Sequence, residues 1–150
     1  MVSVEVLGST CGDDEFRALL NNTMNTYLIT PHSLSKITGI DENVITGFAN
    51  GDMDVSIDLR KDFNSLLELI TMLSIGMEKV DENDRVRAII EGLNHVYDIT
   101  IDTLALYSKV HSDDILQFLK DVNSVPLEKR YRIAVTSLFL HYLFKQSQKI

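Results

Sequence analysis

The chain has 150 residues, is 45% hydrophobic and holds two prolines and seven glycines, enough apolar content for one core or two small modules and too much for wholesale disorder. A single cysteine, Cys11, excludes an internal disulfide framework and a cysteine-rich zinc site, so a reducing, cytoplasmic setting is expected. The net charge of −8 is uneven, with five basic and twelve acidic residues through Val80 and nine and ten after it; any polyanionic partner would meet a mostly acidic first half.

In chain order, Met1 to Gly12 lacks the basic and apolar regions of a secretory leader. The alternation of Val2, Val4 and Val6 predicts an extended arm or tail over residues 1–12. Asp13 or Asp14 is expected to cap a helix running to about Tyr27, with Phe16, Leu19, Leu20 and Met24 on one stripe. Thr30-Pro31 reads as an N-cap followed by proline at the first helical position. The short helix it opens ends near Thr38-Gly39. Asp41 caps a third helix through Ala49, stopped by Asn50-Gly51, and an aspartate-rich loop leads to a longer helix from about Asp58 to Met77.

After a linker from Gly76 to Glu82 the pattern starts again near Asn83. Helices are expected to about Tyr97, from Thr100 onward, from about Ser112 to Lys120, and from Pro126 to the end. The most apolar stretch, Ile133 to Phe144, is interrupted by Ser137 and His141 and falls short of the roughly 18 residues a membrane span needs, so no membrane is expected.

The recurrence extends to identities. A shift of seventy places Asp14 on Asp84, Arg17 on Arg87, Ala18 on Ala88, Tyr27 on Tyr97, Thr30 on Thr100, Leu34 on Leu104, Ile45 on Ile115 and Phe48 on Phe118. Ungapped agreement across several elements predicts a duplicated unit. The expected organisation is an arm at 1–12, one module at 13–80 and a second at 81–150. Chance agreement between two amphipathic helical stretches is the weaker explanation.

The segment Pro31 to Gly51 carries the features of a helix-turn-helix. Leu34 points inward, Ser35 is small where two helices cross, Gly39 sits in the turn, and Ile40, Ile45 and Phe48 bury the second helix. With the flanking helices, about Asp13 to Met77 resembles the lambda-repressor-like, or XRE-type, family. The resemblance implies an all-α fold of two tandem four- to five-helix modules and a sequence-specific regulator of transcription. It implies that Asp41 to Asn50 enters the major groove of double-stranded DNA. Glu42, Asn43 and Thr46 would face base edges, and His32, Ser33, Lys36 and Asn50 would lie nearer phosphate. Gly47 in mid-helix either admits a close partner or is tolerated at roughly 1 kcal/mol against alanine.

The chain departs from that family's usual pattern in having Pro31 where glutamine is common. From Pro31 to Asp58 it sets Lys36 against Asp41, Glu42, Asp52, Asp54 and Asp58. Such a face repels DNA over a Debye length of about 8 Å, with Arg60, Lys61, Lys129, Arg130 and Arg132 as the cations that folding could bring to offset it.

The second module is more degenerate. Lys109 replaces the turn glycine, Asp113 and Asp114 open its third helix, and Leu116 and Leu119 add apolar surface there. Its last helix is apolar on nearly every side, which predicts burial within one chain or at a homodimer seam through Leu116, Leu119, Leu138, Phe139, Tyr142 and Phe144. The histidines His32, His95, His111 and His141 are scattered, and Cys11 has no neighbouring base. No enzyme, metal or cofactor is expected. Two further functions stay open: a helix-turn-helix derivative that docks a protein partner, such as an antirepressor or inhibitor, and an acidic mimic of DNA.

Overall fold

The computed structural model describes residues 4–52, 54, 55 and 62–148, with 4–11, 62 and 63 by backbone alone. The fold is all-α, with no strand among the described residues. The chain divides into two compact units, Met1–Lys79 and Val80–Ile150.

The first unit contains α1 (Val4–Tyr27), α2 (Pro31–Thr38), α3 (Glu42–Ala49), α4 (Asp62–Thr71), a π-helical turn (Met72–Gly76) and α5 (Met77–Lys79). Its core joins Phe16 and Leu20 of α1 with Leu34, Ile40, Ile45 and Phe48 of the α2–α3 region and Leu66 and Ile70 of α4. Each such side chain contributes about 1.5–3 kcal/mol of burial. The second unit contains α6 (Glu82–Tyr97), α7 (Ile101–Ser108), α8 (Ser112–Lys120), a 3-10 turn (Val122–Ser124) and α9 (Leu127–Ser147). Its core includes Ile90, Leu93, Leu104, Ile115, Phe118, Ile133 and Leu140.

Four expectations are corrected. Residues 4–12 are not extended: α1 is already helical at Val4. Alternating valines favour a strand only where a neighbouring strand takes up the backbone hydrogen bonds, and a helix satisfies them locally. Asp14 therefore lies inside α1, where it accepts from Arg17 at 2.8 Å, rather than at its start. The helix expected to end at Met77 is broken by the π-helical turn. There the hydroxyl of Ser74 donates to the carbonyls of Ile70 (2.7 Å) and Thr71 (3.3 Å), competing with the backbone for them. Helix continues to Lys79, so the expected linker shrinks to Val80 and Asp81, and Asp81 caps α6 through the Asp84 amide at 2.9 Å.

The turns of the two units correspond at an offset of seventy. Leu28 and Asp98 both adopt left-handed backbone (φ 57° and 54°), as do Gly39 and Lys109 (φ 78° and 57°). Thr30 caps the Ser33 amide and Thr100 the Thr103 amide, each at 3.1 Å. The correspondence ends after the third helix of each unit. Gly51 is left-handed at φ 77°, whereas Asp121 is extended and feeds the 3-10 turn.

Candidate nucleic-acid interface

Local chemistry accounts for the α2–turn–α3 geometry. Thr30 and Pro31 start α2, and Gly39, at positive φ, ends it with its N–H on the Ser35 carbonyl at 2.8 Å. Two residues later Asp41 accepts from the Asn43 amide at 2.8 Å and starts α3. Between the caps, Ile40 drops into the core with 6% of its surface exposed. The tight turn therefore buries its one apolar residue and spends its polar ones on helix ends.

The far end of α3 is held from α1. Arg17 donates through Nε to the Phe48 carbonyl at 2.7 Å, and Asn21 donates through Nδ2 to the Ala49 carbonyl at 2.8 Å. The Arg17 guanidinium also lies 4.9 Å from the centre of the Phe48 ring. These bonds occupy carbonyls that a helix C-terminus leaves without intrahelical partners, and a cation is favourable there. In the sequence Arg17 stands out only through the repeat, and Asn21 carries no signal of this role. Recurrence of the arginine at Arg87 was the one signal available.

The proposed site residues lie on α2, α3 and the residue that ends α3. His32, Lys36, Glu42, Asn43, Thr46 and Asn50 are exposed and Ser33 is half-buried. On α3, Asn43, Thr46 and Asn50 follow one another at i, i+3 and i+7, while Ile45 and Phe48 face the core. His32 and Glu42 are not independent: Nδ1 of the first lies 2.8 Å from Oε2 of the second, tying the first turn of α2 to the first turn of α3. Ser33 also takes part in the α2 cap, where its hydroxyl accepts from Thr30 at 3.1 Å.

Gly47 has a partner in its own chain. A Cβ there would stand 2.7 Å from Cγ2 of Val55, so the glycine admits the loop that follows α3. The acidity persists on the surface, since Asp41, Glu42, Asp52 and Asp54 are all exposed. Asp58, Arg60 and Lys61 lie outside the described residues. Of the remaining candidate cations, Lys129 pairs with Asp114 (2.9 Å) and Arg132 with Glu128 (2.8 Å). Arg130 donates to the Val125 carbonyl and, at 3.4 Å, to that of Asn123. They serve their own helix ends and neighbours.

In the second unit the same framework carries different chemistry. The tie between the second and third helices survives, but the pair His32–Glu42 becomes Asp102–Ser112, with the serine hydroxyl 2.6 Å from the carboxylate. Where α3 shows Asn43, Thr46 and Asn50, α8 shows Asp113, Leu116 and Lys120. Asp114 faces Lys129, whose hydrogen-bonded ammonium is the main cause holding its carboxyl below the usual range; the His111 amide bond adds to it. Arg87 pairs with Asp84 at 3.1 Å, but its buried Nε finds no hydrogen-bond partner among the described residues. The cap that Arg17 gives α3 is thus absent from α8, consistent with the different route of the chain at Asp121.

Within its own unit the last helix is buried on one face only. Ile133, Ser137 and Leu140 of α9 are buried, and Leu119 and Phe144 pack half-buried on the same core. Leu116, Leu138, Phe139 and Tyr142 are between 50% and 58% exposed. One face of α9 is enough to close the core of its own unit, and the opposite face is left outside.

Among the described residues no group of three or more His, Cys, Asp or Glu side chains is placed to hold a metal ion. None of the helices searched is long and apolar enough to cross a membrane. A family model described as a helix-turn-helix domain matches residues 11–150. The chain belongs to this helix-turn-helix family. The match runs through both units, so the altered second unit is part of what the family has in common with this helix-turn-helix protein. No curated protein and no solved structure gives a match. Helix-turn-helix units that bind DNA place their second helix in the major groove, and at the coarse level the family assignment points to a DNA-binding regulator.

Proposed function

We propose that this protein is a cytoplasmic transcriptional regulator of the lambda-repressor-like type that reads operator DNA through α3 of its first unit. The observation carrying this reading is the exposed row Asn43, Thr46 and Asn50 on a helix whose other face is locked into the core. Amide and hydroxyl groups in such a row suit base edges in the major groove, asparagine pairing with adenine in particular. Asn50, His32, Ser33 and Lys36 serve the flanking backbone. The His32–Glu42 pair occupies one of the two glutamate oxygens. We read the second unit as a duplicate of the first, supported by the left-handed residues and threonine caps seventy apart. Its exposed Asp113 and Leu116 suit association rather than reading.

The exposed carboxylates around Lys36 favour a second reading, a helix-turn-helix derivative that docks a basic protein partner, as an antirepressor or inhibitor does. Titration of pooled double-stranded oligonucleotides, followed by fluorescence anisotropy at low and moderate salt, separates the two. The regulator binds tightly at low salt, weakens as salt rises, and loses about 1–3 kcal/mol of specific affinity on replacing Asn43 or Thr46 by alanine. Absence of binding at low salt rejects DNA reading in favour of the protein partner.

A further inference from the structure

The outer face of α9 has a pattern that its own unit does not use. Tyr131, Val135, Leu138 and Tyr142 are 70%, 46%, 50% and 55% exposed, with Phe139 and Leu143 beside them at 58% and 42%. The four are spaced 4, 3 and 4 residues apart, the spacing of a two-helix seam. They lie opposite Ile133, Ser137 and Leu140, which already close the core of the second unit. Phe139 and Tyr142 stack with ring centres 6.4 Å apart and planes within 16°, giving the face a flat aromatic edge.

We infer that this face is an interface with a second copy of the chain, formed by two antiparallel α9 helices. The spacing is its own mirror image about the midpoint between Thr136 and Ser137. Run antiparallel, Tyr131 meets the partner's Tyr142, and Val135 meets the partner's Leu138. The charges at the ends agree with this direction. Glu128, which also pairs with Arg132 of its own helix at 2.8 Å, and Lys145 are exposed near the two ends of the row and are equidistant from the same midpoint, so each Glu128 is set to share its charge between Arg132 and the partner's Lys145. A parallel pair would set like charges together. A two-fold interface has to be self-complementary in this way.

The area also suits a dimer. At full side-chain areas of about 150–250 Å² for the aromatics and less for the aliphatics, the six exposed residues present up to roughly 500 Å² per copy, or about 1,000 Å² for two, the least that a specific interface needs. The inference does not rest on DNA reading, because the face lies on α9 and not on the α2–α3 surface.

Sedimentation velocity over a concentration series tests it. The 17.0 kDa chain is expected to sediment at twice its mass in the micromolar range, and Leu138→Glu is expected to return it to monomer. Since Leu138 is half exposed, the variant should keep wild-type helicity by circular dichroism, which separates lost association from lost folding. Glu128→Lys is expected to weaken the dimer at least tenfold, and Glu128→Lys with Lys145→Glu to restore it. A wild-type chain monomeric at every concentration, its face then being left to another protein, would overturn the inference. So would a dimer unaffected by Leu138→Glu. A dimer indifferent to Glu128→Lys would overturn the antiparallel arrangement.

Discussion

Replacing Gly47 by alanine sets helix propensity against space. Alanine is better than glycine inside a helix by about 1 kcal/mol, and Gly47 is not among the positive-φ glycines, so the backbone accepts a side chain. What resists is Val55. The new Cβ would lie 2.7 Å from its Cγ2, 3.2 Å from its Cβ and 3.3 Å from its Cγ1. Rotation about χ1 can put the Val55 Cβ hydrogen where Cγ2 stands, at the cost of a less favourable rotamer, but leaves the Cβ itself at 3.2 Å, so full relief requires the loop to move. Overpacking of this kind costs about 1–3 kcal/mol. Gly47→Ala is therefore expected to lower the unfolding free energy by about 1 kcal/mol net. In a Val55→Ala background the methyl contacts are gone and the same substitution should raise it by about 0.5–1 kcal/mol. Urea denaturation of the four proteins in the cycle, followed by circular dichroism, should give a coupling of about 1–2 kcal/mol. Stabilisation by Gly47→Ala in the wild-type background, or a coupling below about 0.3 kcal/mol, would refute Val55 as the reason for the glycine.

The paired turns predict opposite responses to opposite substitutions. Gly39→Ala places a side chain at φ 78° and should cost about 1–2 kcal/mol, whereas Lys109→Gly relieves the same conformation and should gain up to about 1 kcal/mol. Thermal unfolding reads both, and a like sign at the two positions would contradict the shared turn. Asp114 supplies a pH dependence. Its folded pKa lies below the ordinary aspartate value, so its stabilising contribution is complete above that ordinary value and is lost as pH falls through the folded pKa. Lys129→Met should move the Asp114 titration, followed by carboxyl NMR, back towards 3.8 and remove that part of the acid limb; an unmoved titration would assign the depression to another group.

The elements legible in the sequence are those whose causes are local. Thr30 and Asp41 sit within three residues of the amides they cap, Gly39 supplies its own positive φ, and Ile45 and Phe48 lie three apart on one helical face. Those signals located α2, α3 and α8 to within a residue or so. Recurrence at an offset of seventy added the parallel run of helices in the second unit. The α1 start failed because alternating valines are read as a strand without asking what would pair with them. The break at Ser74 failed because a serine's hydrogen bond to its own helix leaves no mark on hydrophobic periodicity.

Through-space distances decided the rest. His32 and Glu42 are ten residues apart, Arg17 and the Phe48 carbonyl thirty-one, and Gly47 meets Val55 only because the loop folds back over α3. No periodicity encodes such meetings, since they depend on how whole helices cross. The same holds for α9. Its composition specified a helix with apolar residues on both faces, but only the packed structure assigned Ile133, Ser137 and Leu140 to the core and left Tyr131, Leu138 and Tyr142 in solvent. The sequence alone thus determined a helix-turn-helix layout in the first unit and the like-placed caps and turns seventy residues on, because caps, turns and stripes are short-range properties. Tertiary structure decided which polar groups spend themselves on one another and which apolar face remains outside, because burial is a property of neighbours that lie far away along the chain.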